Sequence, residues 1–157
     1  MSCLACDLTS GAVALPGGTL HRGRGWLVEH CVGPWGLGTL VVKPGRHVVA
    51  MADLTDAEAA ELGPLLRLAA RVAGQVVEAE QVYVCLWSHA DAVPGHIHYV
   101  VQPVTGEQVA AAGLHGPALQ MHMFRQGHTP AADDVERIAP EITRLFTRLA
   151  GGRTGGG

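Results

Sequence analysis

The sequence predicts an α+β fold in which an antiparallel sheet is flanked by helices. Apolar segments with strand or helix periodicity follow one another in the order β-β-α-β-β-α, and paired strands of this kind are typical of α+β proteins. The segments 81–87 and 96–103 are separated by a short polar loop, so they are close enough along the chain to form an antiparallel hairpin.

Two strands are predicted in the first third of the chain. The segment 15–24 is rich in glycine and proline, which predicts a loop or a short edge strand. Strands are predicted over 26–32 and 39–42, where apolar residues dominate, and the turn residues at 33–36 separate them.

A long helix is predicted from Thr55 to about Ala79. Thr55 and Glu58 have the spacing of a capping box. Pro64 lies inside this segment and predicts a kink or a break, because proline removes a helical hydrogen bond. The apolar residues that recur at helical spacing are Leu62, Leu65, Leu66, Ala69, Val72, Ala73 and Val76.

The second half is predicted to contain two further strands, 81–87 and 96–104, and a last helix. Asp133 or Asp134 is the candidate cap of that helix, and Pro140 lies inside it. Its predicted apolar face consists of Val135, Ile138, Ile142, Leu145, Phe146 and Leu149.

The composition predicts one folded domain over residues 1–150 and a disordered, glycine-rich tail over 151–157. The formal charge of −3 and the few aromatic residues argue against a nucleic-acid surface. No apolar run reaches the roughly 20 residues of a membrane span, and no signal-peptide pattern begins the chain, so a cytoplasmic location is expected. Four cysteines in that setting predict thiols or metal ligands instead of disulfides.

The run Pro-Gly-His-Ile-His-Tyr-Val-Val-Gln-Pro at 94–103 is the most informative segment. Alternate side chains of a strand point to one side, so His96, His98, Val100 and Gln102 are predicted to share a face. Two neighbouring imidazoles on a sheet surface indicate a ligand site or a nucleophile.

A zinc site is predicted from Cys3, Cys6, His47 and His96. Zinc prefers tetrahedral thiolate and imidazole ligands, and a C-x2-C pair supplies two thiolates from one turn. Both histidines lie at predicted strand ends. Two alternatives remain open: the cysteines are ordinary residues of a mobile N-terminus, or they form a redox pair, although a redox C-x2-C follows a strand.

His98 is a candidate nucleophile, because a neutral imidazole can attack phosphorus and form a phosphoramidate. Taken alone, an H-x-H on a strand is more often a metal site or a packing feature.

Several segments together resemble the histidine triad superfamily. The run 96–103 resembles the family's signature, in which histidines alternate with apolar residues along a strand. The segment 38–47, from Gly38 to His47, is similar to a second family motif, and Asp53-Leu54-Thr55 also fits. The C-x2-C near residue 1 matches the zinc-bearing branches. The resemblance covers roughly residues 3–105, with the motifs in the family's order.

The resemblance implies a hydrolase or nucleotidyltransferase that acts on a nucleotide or a related phosphate ester. His98 would accept the nucleotidyl group in a covalent intermediate. A structural zinc ion would be held by the four residues named above, and the family usually forms a two-fold dimer. The apolar run 83–87 independently suggests a sheet edge or helix face that pairs.

The chain departs from the family where substrate is handled. The third histidine of the triad is Val100, which cannot donate to a phosphate oxygen. Gln102 shares its predicted face but lies about 6–7 Å further along the strand. Ser88 and His89, in the preceding loop, are the other candidates for that role. The acidic residue expected to bind ribose hydroxyls would fall near Cys31 and is missing.

The preferred hypothesis is an enzyme that resembles the histidine triad proteins and acts on a nucleotide or another phosphate ester, with His98 as the nucleophile. The competing hypothesis is a non-catalytic binding or accessory protein that keeps the zinc-containing fold. A third hypothesis, to which the altered ribose position would fit, is an enzyme of a specialised pathway with a non-nucleotide substrate.

The remaining candidates have ordinary interpretations. His115, His122 and His128 are interpreted as packing or surface residues, and Cys85 as a small buried hydrophobe. The tryptophans at 35 and 87 are predicted core or dimer contacts, with the first also placed to face a ligand.

Overall fold

A computed structural model describes residues 3–90 and 95–151. The helices are α1 (Leu4–Ser10), α2 (Asp56–Val76), α3 (Gly106–Ala112), α4 (Gly116–Gln126) and α5 (Ala132–Gly151), with a 3₁₀ turn at Met51–Asp53. The strands are β1 (Thr19–Arg22), β2 (Trp26–His30), β3 (Leu40–Pro44), β4 (Gln81–Leu86) and β5 (Tyr99–Val104). Gly151 ends α5, and the rest of the predicted tail lies outside the described residues.

The five strands form one sheet in the order β1-β2-β3-β5-β4, and all neighbours are antiparallel. This arrangement confirms the predicted α+β class and the hairpin between β4 and β5. The segment 15–24 contributes the short edge strand β1. Among the described helices, none is long and apolar enough to cross a bilayer.

One face of the sheet packs against α2 and α5, which also contact each other. Both helices present the apolar stripes expected from their periodicity. The buried core includes Trp26, Val28, Leu40, Val42, Leu65, Ala69, Val72, Val101, Ile142 and Phe146. Because strand residues alternate in direction, the neighbours of these core residues in β2, β3 and β5 point to the opposite face, where the candidate site lies.

Helix α2 begins with the predicted capping box, because the Thr55 hydroxyl accepts from the Glu58 N–H and the Glu58 carboxylate accepts from the Thr55 N–H. A break at Pro64 was one expectation from the sequence, but the helix continues through this residue. Pro64 and Ala60, whose carbonyl loses its helical partner, are both exposed, so water can satisfy that carbonyl. The buried stripe on the other side of the helix keeps it continuous.

Glu58 is expected to stabilise the fold in acid. Arg46 donates to its two carboxylate oxygens at 2.8 and 2.7 Å, and these contacts, with the Thr55 N–H, hold the pKa of Glu58 at about 2, below the ordinary 4.5. A carboxyl group with a lowered native pKa stabilises the fold above its unfolded pKa, and this contribution is lost as pH falls through the native pKa. The stability advantage of the wild type over Glu58→Gln should therefore shrink from pH 4.5 towards pH 2. Thermal unfolding across this range measures it, and a constant difference would contradict it.

The second half of the chain departs from expectation at two points. β5 begins at Tyr99, so His96 and His98 precede the strand instead of continuing its face. Ile97 donates its N–H to the Val48 carbonyl at 2.8 Å, which fixes this segment outside the ladder of β3. Asp133 and Asp134 lie in the first turn of α5 and are not its cap, since the helix begins at Ala132.

Candidate functional site

Four soft donors converge at one end of the sheet. Cys3 is the N-cap residue of α1 and Cys6 lies in its first turn, while His47 follows β3 and His96 precedes β5. One ligand atom from each residue lies within 4.8 Å of the others. The structure therefore brings together all four residues predicted from the sequence.

The geometry of this cluster fits a tetrahedral zinc ion. The Cys6 sulfur lies 3.4 Å from Nδ1 of His47 and 3.6 Å from Nδ1 of His96. Zinc–sulfur and zinc–nitrogen bonds of about 2.3 and 2.0–2.1 Å at a tetrahedral angle separate the two donor atoms by about 3.5 Å. The donor set of two thiols and two imidazoles is also that of structural zinc sites.

The surroundings of His96 hold its ring in the tautomer a metal ligand needs. His96 is buried, and its Nε2 donates to the Pro44 carbonyl at 3.1 Å, which leaves the lone pair on Nδ1 towards the Cys6 sulfur. Burial, with the neighbouring His47, lowers the pKa of His96 to about 4, so the ring is neutral at pH 7. Burial and the proximity of Cys3 raise the pKa of Cys6, and a cation would offset both effects.

A cavity of about 330 Å³ lies beside this cluster, on the face of the sheet opposite α2 and α5. Helix α1, strands β2 and β3, the loop after β2, the start of β5 and one residue of α4 surround it. Its lining consists of Leu4, Ala5, Leu8, Glu29, His30, Cys31, Val32, Gly33, Pro34, Trp35, Val41, Lys43, His98, Val100 and Phe124.

His98 lies at this cavity and is half-buried. Its Nδ1 is 2.9 Å from the carbonyl oxygen of His96 and must donate to it, because a carbonyl only accepts. In the neutral ring the lone pair is then on Nε2. Val100 lines the same cavity, so the two residues share a site although His98 precedes the strand.

The other predicted substrate contacts lie outside the lining of this cavity. Gln102 is fully buried, and its side chain accepts from Gln120 at 3.3 Å and contacts the Met123 sulfur at 3.5 Å. The Ser88 hydroxyl is buried and has no hydrogen-bond partner among the described residues, whereas His89 is exposed. A role for these residues in substrate binding stays a prediction.

An ion pair of the site was missed from the sequence: Glu29 was noted near the position of the missing acidic residue but set aside because strand alternation shifts its face, and Lys43 was not considered. Glu29 on β2 and Lys43 on β3 form an ion pair with a distance of 2.7 Å between Lys43 Nζ and Glu29 Oε2, and both line the cavity. Lys43 also donates to the Ala5 carbonyl of α1 at 2.7 Å. The sequence did contain a signal for the pair, since Glu29 is the only acidic residue of β2 and Lys43 is the only charged residue of β3.

Cys31, which lies where an acidic residue was expected, supplies no charge. Burial raises the pKa of Cys31 to about 11, so its thiol stays neutral, and its sulfur accepts from the Gly33 N–H at 3.3 Å. The preceding His30 is also buried, and its Nε2 accepts from the Gly38 N–H at 2.9 Å, which fixes the turn between β2 and β3.

Aromatic rings form one wall of the cavity. The ring of Trp35 lies 5.0 Å from that of Phe124 and 5.7 Å from that of Trp87. Trp35 and Phe124 line the cavity, so a ligand bound there would contact the Trp35 ring. Cys85 is only half-buried and its thiol donates to the Gln120 side chain at 3.4 Å, so it is not simply a small buried hydrophobe.

No family model and no curated protein matches the chain. Among solved structures, a Zn-bound histidine triad family protein from Mycobacterium smegmatis is 19% identical, with a TM-score of 0.70 over 98% of this chain and 99% of that one. A hypothetical histidine triad nucleotide-binding protein from Sulfolobus tokodaii is 15% identical, with a TM-score of 0.73 over 98% and 100%. The diadenosine triphosphate hydrolase of Plasmodium falciparum is 11% identical, with a TM-score of 0.62 over 83% and 76%. The chain thus has the fold of the histidine triad proteins.

Proposed function

We propose that the chain is a histidine-triad-like nucleotidyl hydrolase or transferase acting on a nucleotide or a related phosphate ester. One observation carries this proposal: His98 lies at the cavity with its Nδ1–H held by the His96 carbonyl at 2.9 Å. That hydrogen bond leaves Nε2 as the nucleophilic nitrogen and fixes the plane of the ring. The printed descriptions of the structural neighbours, a nucleotide-binding protein and a diadenosine triphosphate hydrolase, support the substrate class.

The reaction proceeds in two displacements. Nε2 of His98 attacks the α-phosphorus, a P–N bond forms, and the P–O bond to the leaving group breaks with its electron pair on the departing oxygen. Water, or a second phosphate acceptor, then attacks the same phosphorus, and the P–N bond breaks with its electron pair returning to Nε2. The proton lost by the attacking water passes to solvent. The His96 carbonyl stabilises the positive charge that develops on the ring during each step.

Val100 restricts the leaving group. Its side chain lines the cavity and cannot donate a proton or a hydrogen bond to the departing oxygen. The turnover of dinucleoside polyphosphates should therefore be slow, because the departing phosphate oxygen receives no hydrogen bond from this position. Substrates with poorer leaving groups, such as phosphoramidates that release an amine, should be hydrolysed slowly.

We propose that Cys3, Cys6, His47 and His96 hold a structural zinc ion. The ion would supply no open coordination position, because four protein ligands complete a tetrahedron. The contribution of the site to the reaction is indirect: His96 belongs to the cluster through its ring and positions His98 through its carbonyl.

The covalent step can be tested by intact-mass analysis after rapid mixing with a dinucleoside polyphosphate. The wild type should gain the mass of one nucleotidyl group when denatured in base, which preserves the P–N bond. His98→Ala should show no adduct. His122→Ala, which replaces a histidine outside the cavity lining, is the matched control and should behave as the wild type. An adduct that persists in His98→Ala would contradict the proposal.

We also propose a two-fold dimer. β4 is at one end of the sheet, and Val84 and Trp87 in or beside it are 40% and 44% exposed. An edge strand with exposed apolar residues needs a covering partner. Light scattering at micromolar concentration should give twice the chain mass of 16.4 kDa. A monomer there would count against the dimer.

A non-catalytic binding protein is the second candidate, favoured by the apolar residue at position 100. It would bind phosphate esters at the cavity without forming the adduct described above.

A further inference from the structure

The ion pair between Glu29 and Lys43 is a fully buried charged feature of the cavity lining. Glu29 is 2% exposed and Lys43 is 1% exposed, and their charged groups are 2.7 Å apart. Buried charges are retained where they are paired and fully hydrogen-bonded, and replacing such a pair by apolar residues is often neutral for stability. Fold stability alone is therefore a weak reason for this pair.

The pair is not fully hydrogen-bonded. Glu29 Oε1 is buried and has no partner among the described residues. Lys43 carries three N–H groups, of which Glu29 Oε2 and the Ala5 carbonyl take two. The pair therefore offers one unused acceptor and one unused donor side by side, at residues that line the cavity. An unsatisfied buried oxygen of this kind calls for an explanation.

The rest of the cavity fits a flat apolar group. Leu4, Leu8 and Val41 lie on its lining together with the rings of Trp35 and Phe124. A volume of about 330 Å³ is at the lower end of the range for small-molecule sites, so one ring system fits and a whole dinucleotide does not.

We propose that Glu29 and Lys43 select the ligand through hydrogen bonds to a planar edge of the ligand, on which an N–H donor lies beside an acceptor. The ligand's N–H donates to Glu29 Oε1, and its acceptor receives the remaining N–H of Lys43. Such an edge occurs on an aminated heterocycle, as in a nucleobase, and on a primary carboxamide. The nucleobase case rests on the proposed function, whereas recognition of the edge itself does not.

Two isosteric ligand pairs test this, each exchanging an amino group for a methyl group: adenosine against 6-methylpurine riboside, and benzamide against acetophenone. Affinities are measured by calorimetry or protein NMR with the intact chain. The wild type should bind the amino member of at least one pair about tenfold more tightly, because the methyl group leaves Glu29 Oε1 unpaired. A preference confined to benzamide would assign the edge to a carboxamide and count against the nucleotide.

Variants separate recognition from folding. Glu29→Met/Lys43→Met removes both charges together and should reduce the preference to within about twofold. Glu29→Gln keeps the side-chain volume and should also weaken it. Glu141→Met/Arg144→Met, which removes an exposed ion pair on α5, should keep the full preference.

His98→Ala should keep the preference too, so loss of the covalent chemistry and loss of edge recognition are distinguishable. The proposal is overturned if the wild type binds amino and methyl members equally, if it binds neither pair, or if the double variant and Glu29→Gln retain the full preference.

Discussion

Replacing Cys6 by serine is expected to remove bound zinc and to destabilise the protein by more than about 4 kcal/mol. The Cys6 sulfur lies 3.4 Å from Nδ1 of His47 and 3.6 Å from Nδ1 of His96, so the substitution removes one of the four proposed zinc ligands. Loss of a metal belongs to the few mechanisms that produce effects this large, because the free energy of metal binding is coupled to folding. Metal analysis of freshly purified protein should find about one zinc per chain in the wild type and none in the variant.

The control for this change is Cys85→Ser. Cys85 is half-buried like Cys6 but lies on β4, outside the cluster. Its substitution should leave the zinc content unchanged and cost much less stability. A chelator should lower the unfolding temperature of the wild type and of Cys85→Ser, and should not affect Cys6→Ser. Wild-type protein without zinc, together with an unchanged unfolding temperature in Cys6→Ser, would refute the metal site.

The second large effect is expected from Val100→His, which should raise the turnover of dinucleoside polyphosphates by about 10²–10³-fold. The substitution restores a donor on the cavity lining beside His98, where the departing oxygen needs one. Val100 is 5% exposed, so the larger imidazole of the introduced histidine has to extend into the cavity. Steady-state kinetics should show the gain in kcat, since the donor acts on the transition state.

His98→Ala should abolish turnover with either residue at position 100. Val100→Leu is the matched control, because it adds volume without a donor and should give no gain. If the wild type is fast and Val100→His slows it, another group already serves the leaving oxygen, with Ser88, His89 and Gln102 as the first candidates. If neither form turns over any phosphate ester, the binding-protein interpretation becomes the better one.

The sheet and its two main helices could be predicted because each has a strong local signal. The capping box at Thr55 and Glu58 and the apolar stripe of α5 are properties of short sequence windows, and both are present as expected. The convergence of Cys3, Cys6, His47 and His96 was also predictable, although these residues are up to 93 positions apart, counted from Cys3 to His96. The C-x2-C spacing and the resemblance to the histidine triad superfamily together indicated these four residues.

The details that were missed depend on contacts between distant segments. β5 begins at Tyr99 because the preceding residues bond to the segment after β3, and no window around 96–98 contains that information. To predict the pairing of Glu29 with Lys43, one needs the register of β2 and β3. This register places Lys43 opposite Leu27 and therefore diagonal to Glu29. The short helix α1 was missed because its stability comes from its neighbours more than from its own sequence.

Helix α1 has a consequence for how the protein responds to its surroundings. It carries Cys3 and Cys6 of the cluster, and its Ala5 carbonyl receives Lys43, while Leu4 and Leu8 line the cavity. An ion on one side of this helix of about two turns and a ligand on the other would therefore both depend on the same element. Thermodynamic linkage is reciprocal: if zinc strengthens ligand binding by some factor, the ligand must strengthen zinc binding by the same factor. Depletion of zinc would then weaken ligand binding as well as the fold, and abundant ligand would raise the affinity of the cluster for zinc.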